Sequence, residues 1–261
     1  MLVHLRPTPV VARVMTATAV LHDDQETWLE REVAVATFLA KRSLAVSPTR
    51  LLPPGPHQRD GLWMTLWDYV PHDSPGILPR ASELGQSLRR LHAALAEFTG
   101  ELEPLLCFQE GLERLLDELQ PSPWLSSLDI ESLRISLDEL TPRVFDSPQP
   151  AQALHGDAGM GNLLHTDEAL LWNDLEDVCT GPVAWDVAGL VGSARARGQS
   201  ELFIEEVLDA YGGPVLDELS DFIAADELYT TIWQSYDAHR RPQAEGKAAA
   251  RVARWREHSA R

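Results

Sequence analysis

The sequence contains very few cysteines. Cys107 and Cys179 are the two cysteines among 261 residues, and they lie far apart in the chain. Two cysteines so far apart are too few for a disulfide framework or a zinc ribbon, so the sequence excludes a disulfide-stabilised domain and a zinc-ribbon domain. Each is expected to be a small buried apolar residue, and a reducing, cytoplasmic location fits this usage.

Long apolar runs and an excess of basic charge are also missing. No stretch of about eighteen apolar residues occurs, and "MLVHLRPTPVVARV" lacks the charged and then apolar regions of a signal peptide. We therefore expect no membrane partner. The formal net charge of −18 makes nucleic acid a poor partner. An acidic surface favours a cationic ligand, although it equally serves solubility.

Apolar residues make up 44% of the chain, enough for a sizeable core. Residues 2–5 and 10–20 and the segment "GLWMTLWDYV" are predicted strands, and a helix is predicted to begin at Asp23. From residue 80 onward amphipathic helices dominate, interrupted by one hairpin. The sequence therefore predicts an α+β fold with a small β-rich lobe, residues 1–70, and a larger helical lobe, residues 71–261.

The stretch "ALHGDAGMGNLLHTDEALLWNDLED" concentrates polar side chains around two short apolar runs. The runs flank a polar turn at residues 166–168, which predicts a hairpin. Such a hairpin would bring Asn162, before its first strand, beside Asp174, after its second. An amide oxygen and a carboxylate are hard ligands that suit Mg²⁺.

A second carboxylate precedes this hairpin. Asp157 lies five positions before Asn162, across a loop whose glycines, Gly159 and Gly161, allow a tight turn. A carboxylate beside the metal can orient a hydroxyl and accept its proton during attack on phosphorus. The order His155, Asp157, Asn162 has the spacing H-x-D-x-x-x-x-N of a kinase catalytic loop, which a metal-binding aspartate follows.

The segments "HGDAGMGN" and "WNDLEDVCTGPVAWDVA" together resemble the aminoglycoside phosphotransferase and choline kinase family, small-molecule kinases with a protein-kinase-like fold. The resemblance covers residues 150–190 most strongly. It implies that Asp157 is the catalytic base and that Asn162 and Asp174 hold Mg²⁺. It also implies structural roles for His155 and for Asp186, which would accept backbone hydrogen bonds from the catalytic loop.

The same resemblance extends to the first lobe and implies ATP as cofactor. "VVARV" matches the strand that carries the phosphate-binding lysine, with Arg13 in the lysine position, and Glu32 matches the glutamate that pairs with it. An Arg13–Glu32 ion pair is therefore expected, although the planar guanidinium requires a different geometry from an ammonium. "LWDYV" resembles the hinge, where the backbone of Asp68, Tyr69 and Val70 would meet adenine. Glu176 and Asp177 either shape the substrate side or only belong to the loop.

The start of the chain departs from the family pattern. Twelve residues precede Arg13, and they contain no glycine. Either the first strand and the phosphate-covering loop are missing, so that the β-rich lobe is truncated, or this lobe is built differently.

Three functions remain open from the sequence. The first is an ATP-dependent kinase for a small hydroxylated molecule, with a cationic acceptor as one option. The second is a non-catalytic binding or regulatory module of the same fold, suggested by Arg13 and the unusual start. The third is a metal-dependent hydrolase using His155, Asp157 and His165, supported only by the clustering of ligand-type residues.

Overall fold

The structure, a computed structural model, describes residues 1–16, 24–72 and 78–259. The first part of the chain forms an antiparallel sheet and one helix, and the rest is mainly helical. The predicted α+β class is confirmed. Among the described residues no helix is both long and apolar enough to cross a membrane.

A four-stranded antiparallel sheet forms the first lobe, in the order β1-β2-β4-β3. Its strands are β1 (Leu2–His4), β2 (Val10–Val14), β3 (His57–Arg59) and β4 (Leu62–Asp68). In β2 the residues Val10, Ala12 and Val14 are buried, whereas Val11 and Arg13 alternate with them. Because side chains alternate across a strand, Arg13 points to the opposite face, over the cavity described below.

The sheet begins with a strand upstream of Arg13. In β1, Leu2 pairs with Arg13 and His4 with Val11, and residues 5–9 connect the two strands without a glycine. The structure therefore has one strand before Arg13, and the described residues before Arg13 contain no glycine-rich loop.

The helix of the first lobe is α1 (Gln25–Ala40). Its N-cap is Asp24, whose side chain accepts a hydrogen bond of 3.1 Å from the Thr27 N–H. Asp23, the predicted first residue, and residues 17–20 of the predicted second strand lie outside the described residues. The buried face of α1 carries Glu32 toward the same cavity as Arg13.

The helices of the helical lobe are α2 (Ala81–Leu95), α3 (Leu106–Glu118), α4 (Ser127–Leu140), α5 (Ala184–Ala196), α6 (Glu201–Tyr211), α7 (Ser220–Arg240) and α8 (Glu245–Ser259). Helix α2 packs against α6, and α7 packs against α8, α5 and α3. The α2–α6 contact depends on Gly85, because a Cβ there would overlap the Val207 carbonyl oxygen.

Two short antiparallel pairs hold the polar stretch in place. They are β5 (Gln152–Leu154) with β8 (Cys179–Gly181), and β6 (Leu163–His165) with β7 (Leu170–Trp172). The first pair fixes the chain on both sides of the stretch, and the second is the predicted hairpin. Both are buried against the helical core, so the loop ends that they present are rigidly placed.

Candidate active site

The hairpin brings Asn162 and Asp174 together. Leu163 pairs with Trp172, and the Asn173 N–H donates to the Asn162 carbonyl oxygen at 2.9 Å. Residues twelve positions apart in sequence are therefore neighbours, and the predicted hairpin is confirmed. Asp174 adopts a left-handed backbone conformation, φ 60°. Such conformations cluster at functional sites, where surrounding structure enforces them.

Asp157 is joined directly to this pair. The Asn162 side-chain amide donates to the Asp157 carbonyl oxygen at 2.8 Å and to Asp157 Oδ2 at 2.7 Å. Within the described part of the chain no group donates a hydrogen bond to Asp157 Oδ1. Asp157 is open to solvent, yet the protein packed around its carboxyl group raises its pKa, and the charges of Asp174 and Asp186 add to this.

His155 connects the loop of residues 156–162, called the catalytic loop here for its kinase-like spacing, to the hairpin. The Asp157 N–H donates to His155 Nδ1 at 3.3 Å, and His155 Nε2 lies 3.1 Å from the Asn173 carbonyl oxygen. An accepting Nδ1 places the proton on Nε2, which donates to Asn173. The ring is fully buried against Trp172, so the structural position predicted for His155 is confirmed.

Asp186 accepts hydrogen bonds from the backbone at the start of the catalytic loop. It accepts hydrogen bonds from the His155 N–H at 2.8 Å and the Gly156 N–H at 2.9 Å, as the resemblance implied. His92 Nε2 donates to the same carboxylate at 2.9 Å. Burial alone would raise the pKa of Asp186, but the hydrogen bond and charge of His92 outweigh it and lower the pKa below 3.8.

Sequence reasoning missed His92. The residue lies four positions after Leu88 and three before Leu95, so it shares the buried face of α2. A histidine on an otherwise apolar helix face was the available signal, because a buried polar side chain needs a partner. The sequence could not identify that partner, which lies 94 positions away.

Arg13 contacts three carboxylates. Its Nη1 lies 3.3 Å from Glu32 Oε2, which confirms the predicted pair. Its Nη2 lies 2.7 Å from Asp174 Oδ1 and also contacts Glu176. Burial would lower the pKa of Arg13, but these carboxylates, Glu32 first, raise it. Burial raises the pKa of Glu32 to about 8.

Glu176 is therefore part of the site and not only of the loop, which the sequence had left open. Asp174 and Glu176 leave an excess of negative charge around the single guanidinium even when Glu32 is protonated, as its raised pKa favours at neutral pH. Asp174 Oδ1 is buried and accepts no hydrogen bond apart from its ion-pair contact with Arg13, and Glu32 Oε1 is buried without a hydrogen bond. These oxygens have unused capacity for a further cation.

A cavity of about 560 Å³ lies between the sheet and the hairpin. Its apolar walls include Val11, Val46, Leu164 and Leu175, and its polar end holds Arg13 and the three carboxylates. Its size is within the range of about 300–1,000 Å³ that small-molecule sites occupy. One end is apolar and the other charged, which suits a ligand with a flat apolar part and an ionic part.

The predicted hinge residues Asp68, Tyr69 and Val70 line this cavity. The Asp68 N–H donates to the Ser47 carbonyl oxygen and the Tyr69 N–H to the Pro9 carbonyl oxygen, both at 2.9 Å. The Val70 N–H has no hydrogen-bond partner within residues 1–16, 24–72 and 78–259. Of these three amides it is the one available to a ligand.

A second cavity, about 190 Å³, lies beside the first. Three residues contribute rings to its wall, Trp28, Phe108 and Tyr229. The charged residues of the wall are the acidic Asp24, Glu103, Glu110 and Asp177 and the basic Arg31 and Arg114. Burial, followed by the charges of Glu176 and Asp157, raises the pKa of Asp177. Burial also raises the pKa of Tyr229, with a further effect from Asp157.

The hydrolase hypothesis receives no support. Among the residues that the structure describes, no three or more His, Cys, Asp or Glu side chains are grouped to hold a metal ion. Both ring nitrogens of His155 already have partners within the protein.

The sequence model of the phosphotransferase enzyme family (APH) matches residues 13–222. The chain belongs to the phosphotransferase enzyme family. The match begins at Arg13 and includes the whole catalytic loop, the hairpin and α5. A search of curated protein sequences finds no match.

Several solved structures have the same fold as this chain. A microcompartment-associated aminopropanol kinase superposes with a TM-score of 0.69 at 18% identity, covering 97% of this chain and 85% of that one. A choline/ethanolamine kinase family protein from Mesorhizobium loti gives 0.65 at 20%, covering 97% and 86%. The amicoumacin kinase hAmiN gives 0.67 at 13%, covering 94% and 80%. These similarities confirm the kinase-like fold.

Proposed function

We propose that this phosphotransferase moves the γ-phosphoryl group of ATP to a hydroxyl of a small molecule, with Asp157 as the base. The observation that carries the proposal is the state of the Asp157 carboxylate. Asn162 holds Oδ2 at 2.7 Å, while Oδ1 is open to a substrate. A base must lie within hydrogen-bond reach of the proton that it accepts, and this arrangement offers one oriented oxygen for that purpose.

The reaction follows from this arrangement. The acceptor hydroxyl donates its hydrogen bond to Asp157 Oδ1, and its proton passes there as its oxygen bonds to the γ-phosphorus. The bond between that phosphorus and the bridging oxygen breaks, and ADP leaves with the electron pair. His155 and Asp186 keep the loop in place while the charge on Asp157 changes. The raised pKa of Asp157 makes it a better proton acceptor than an exposed aspartate.

The larger cavity is the proposed ATP site. It lies where the two proposed lobes, residues 1–70 and 71–261, meet, with the Val70 N–H available to adenine. Arg13 and Glu32 lie at the opposite, polar end, where the phosphates would be bound. The amicoumacin kinase of the same fold was solved with AMP-PNP and Ca²⁺, which supports nucleotide binding here.

Asn162 and Asp174 fit a magnesium ion. The side-chain nitrogen of Asn162 donates hydrogen bonds to Asp157. The side-chain oxygen of Asn162 therefore points away from Asp157 and is free to bind a metal ion. Asp174 Oδ1 is buried without a hydrogen bond. Oxygen ligands of this kind suit Mg²⁺. Bound there, the ion would neutralise phosphate charge. In the structure, Arg13 already contacts Asp174, so Arg13 and the ion would compete for this carboxylate.

That competition gives a test. Replacing Arg13 with glutamine leaves Glu32, Asp174 and Glu176 without their cation. We expect Mg²⁺ to stabilise Arg13→Gln more than the wild type, with a further rise in melting temperature of about 2–4 °C for each kcal/mol of additional binding energy. Thermal unfolding with and without Mg²⁺ measures this. Arg42→Gln, which removes an exposed pair with Glu97, is the control. Equal Mg²⁺ effects in both variants would show that Arg13 does not compete for the metal site.

The acceptor is proposed to be a small hydroxylated molecule that also carries an amine. The second cavity supports this, because acidic groups and aromatic rings together favour a cation. A bound ammonium group would also stabilise the ionised form of Asp177. Two structures of the same fold are named as aminopropanol and choline/ethanolamine kinases.

A non-catalytic module of the same fold is the second candidate, and the Arg13 cluster favours it. Arg13 is fully engaged with carboxylates, and the described residues before it contain no glycine-rich loop. Thermal shift with ATP and Mg²⁺, together with a phosphate-transfer screen over amino alcohols, aminoglycosides and sugars, separates the two. Nucleotide-dependent stabilisation with transfer to any acceptor supports the kinase, and an absence of both supports the module.

A further inference from the structure

The free oxygen of Asp157 faces a particular group of residues. Asp157 Oδ2 is turned to Asn162, whereas Oδ1 is turned to Gly159. A Cβ added at Gly159 would lie 3.8 Å from Asp157 Oδ1 and 3.4 Å from Ser193 Oγ. The Ser193 hydroxyl on α5 therefore borders the space in which an acceptor hydroxyl would meet the base.

Two glycines of the loop border this space. Gly159 has φ −82° and ψ 156°, an extended conformation that other residues also adopt, and an added Cβ would make only ordinary van der Waals contacts there. At Gly161 an added Cβ would lie 3.2 Å from Arg197 Nη2, so the loop leaves room for this guanidinium.

Arg197 is anchored to the catalytic loop through Ser193. Arg197 Nη1 donates to Ser193 Oγ at 2.7 Å, and the same oxygen accepts the Met160 N–H at 2.9 Å. These bonds fix the guanidinium beside the loop while its Nη2 has no hydrogen-bond partner in the described chain. A cation is thus held in a defined position close to the base.

No carboxylate pairs with Arg197 among the described residues. Its neighbour Arg195, on the same helix end, donates to both Glu201 oxygens at 3.0 and 2.8 Å. Arg197 is exposed to solvent, so a ligand can reach its guanidinium. A guanidinium with free N–H groups is a strong receptor for carboxylate or phosphate.

We propose that Arg197 binds an anionic group of the acceptor, and that the acceptor class is a hydroxylated molecule with both an amine and an acid group. This deepens the proposed function and rests on it. The hydroxyl lies at Asp157 Oδ1 and the anion contacts Arg197, while the amine is the group that the proposed function assigns to the acceptor.

Matched acceptors test this assignment. Serine and ethanolamine differ by one carboxylate, as do homoserine and 3-aminopropan-1-ol. Their binding is measured by calorimetry in the presence of Mg²⁺ and AMP-PNP, and kcat and KM are measured with ATP. We expect the wild type to prefer the carboxylated member of a pair by about tenfold or more. Arg197→Gln should remove that preference by raising KM and weakening binding for the carboxylated member of each pair.

Arg195→Gln is the control, because it removes the same charge two residues away and should leave the preference intact. Tighter binding of the carboxylate-free members to the wild type, or an unchanged preference in Arg197→Gln, overturns the inference. Transfer that depends on Asp157 but ignores the carboxylate would retain the kinase proposal and reject the role of Arg197. Carboxylate binding that depends on Arg197, without phosphate transfer to any acceptor, would retain the role of Arg197 and reject the kinase proposal.

Discussion

Replacing Asp157 with asparagine is expected to lower kcat by about 10²–10⁴-fold, the usual contribution of a general base. The amide keeps the size of the side chain and can still face Asn162, but it cannot accept the acceptor proton. ATP affinity should change little, because the proposed adenine and phosphate contacts lie at Val70 and Arg13. Steady-state kinetics with ATP and an acceptor from the screen, and calorimetry with AMP-PNP, measure the two quantities.

Asp167→Asn is the matched control. Asp167 is exposed in the turn of the same hairpin, so the charge change is identical and kcat should not change. A melting temperature close to that of the wild type would show that Asp157→Asn is folded. Undiminished turnover in folded Asp157→Asn would exclude Asp157 as the base.

We expect the protonation of Asp157 to determine how kcat decreases at low pH. Asp157 acts in its ionised form, and the protein packed around its carboxyl group raises its folded-state pKa above 3.8. As pH falls, the wild-type kcat should therefore begin to decrease at a higher pH than an exposed aspartate would produce. The residual kcat of Asp157→Asn should not show this decrease as pH falls.

The catalytic stretch was predictable because its geometry is local. The hairpin follows from two apolar runs around a polar turn, and it alone places Asn162 next to Asp174. The loop from Asp157 to Asn162 is too short to separate them. For such segments the sequence spacing sets the distance in space, and the structure agrees with the prediction.

Contacts between distant segments were predictable only where a family resemblance supplied them. The Arg13–Glu32 pair and the Asp186 bonds came from the resemblance, whereas His92, Ser193 and Arg197 did not. Each of these three acts on the loop from a helix whose rotation and approach depend on packing elsewhere. Alternation along β2 predicts which face Arg13 occupies, but not that its reach extends to Asp174 and Glu176.

Asp186→Ala is expected to lower the free energy of unfolding by roughly 3–5 kcal/mol, because breaking a buried charged network leaves its donors without partners. The His155 and Gly156 N–H groups lose their acceptor inside the protein, and His92 loses its hydrogen bond. Urea unfolding at pH 7 measures the loss.

Asp186→Asn retains one carbonyl acceptor, so it should lose less stability than Asp186→Ala. Asp138→Ala, an exposed change on α4, should lose almost none. If Asp186→Ala were as stable as Asp138→Ala, the carboxylate would not support the loop, and the fixed position of Asp157 would need another cause.

The pH dependence separates the charge of Asp186 from its packing. Its folded-state pKa lies below the ordinary 3.8, so its contribution to stability is complete above that value and is lost as pH falls through the folded-state pKa. The wild type should therefore lose more stability than Asp186→Ala between about pH 5 and pH 3, and the difference between them should narrow. A constant difference across that interval would mean that the alanine variant loses packing alone. In that case the hydrogen bonds of the ionised carboxylate would not be what holds the catalytic loop.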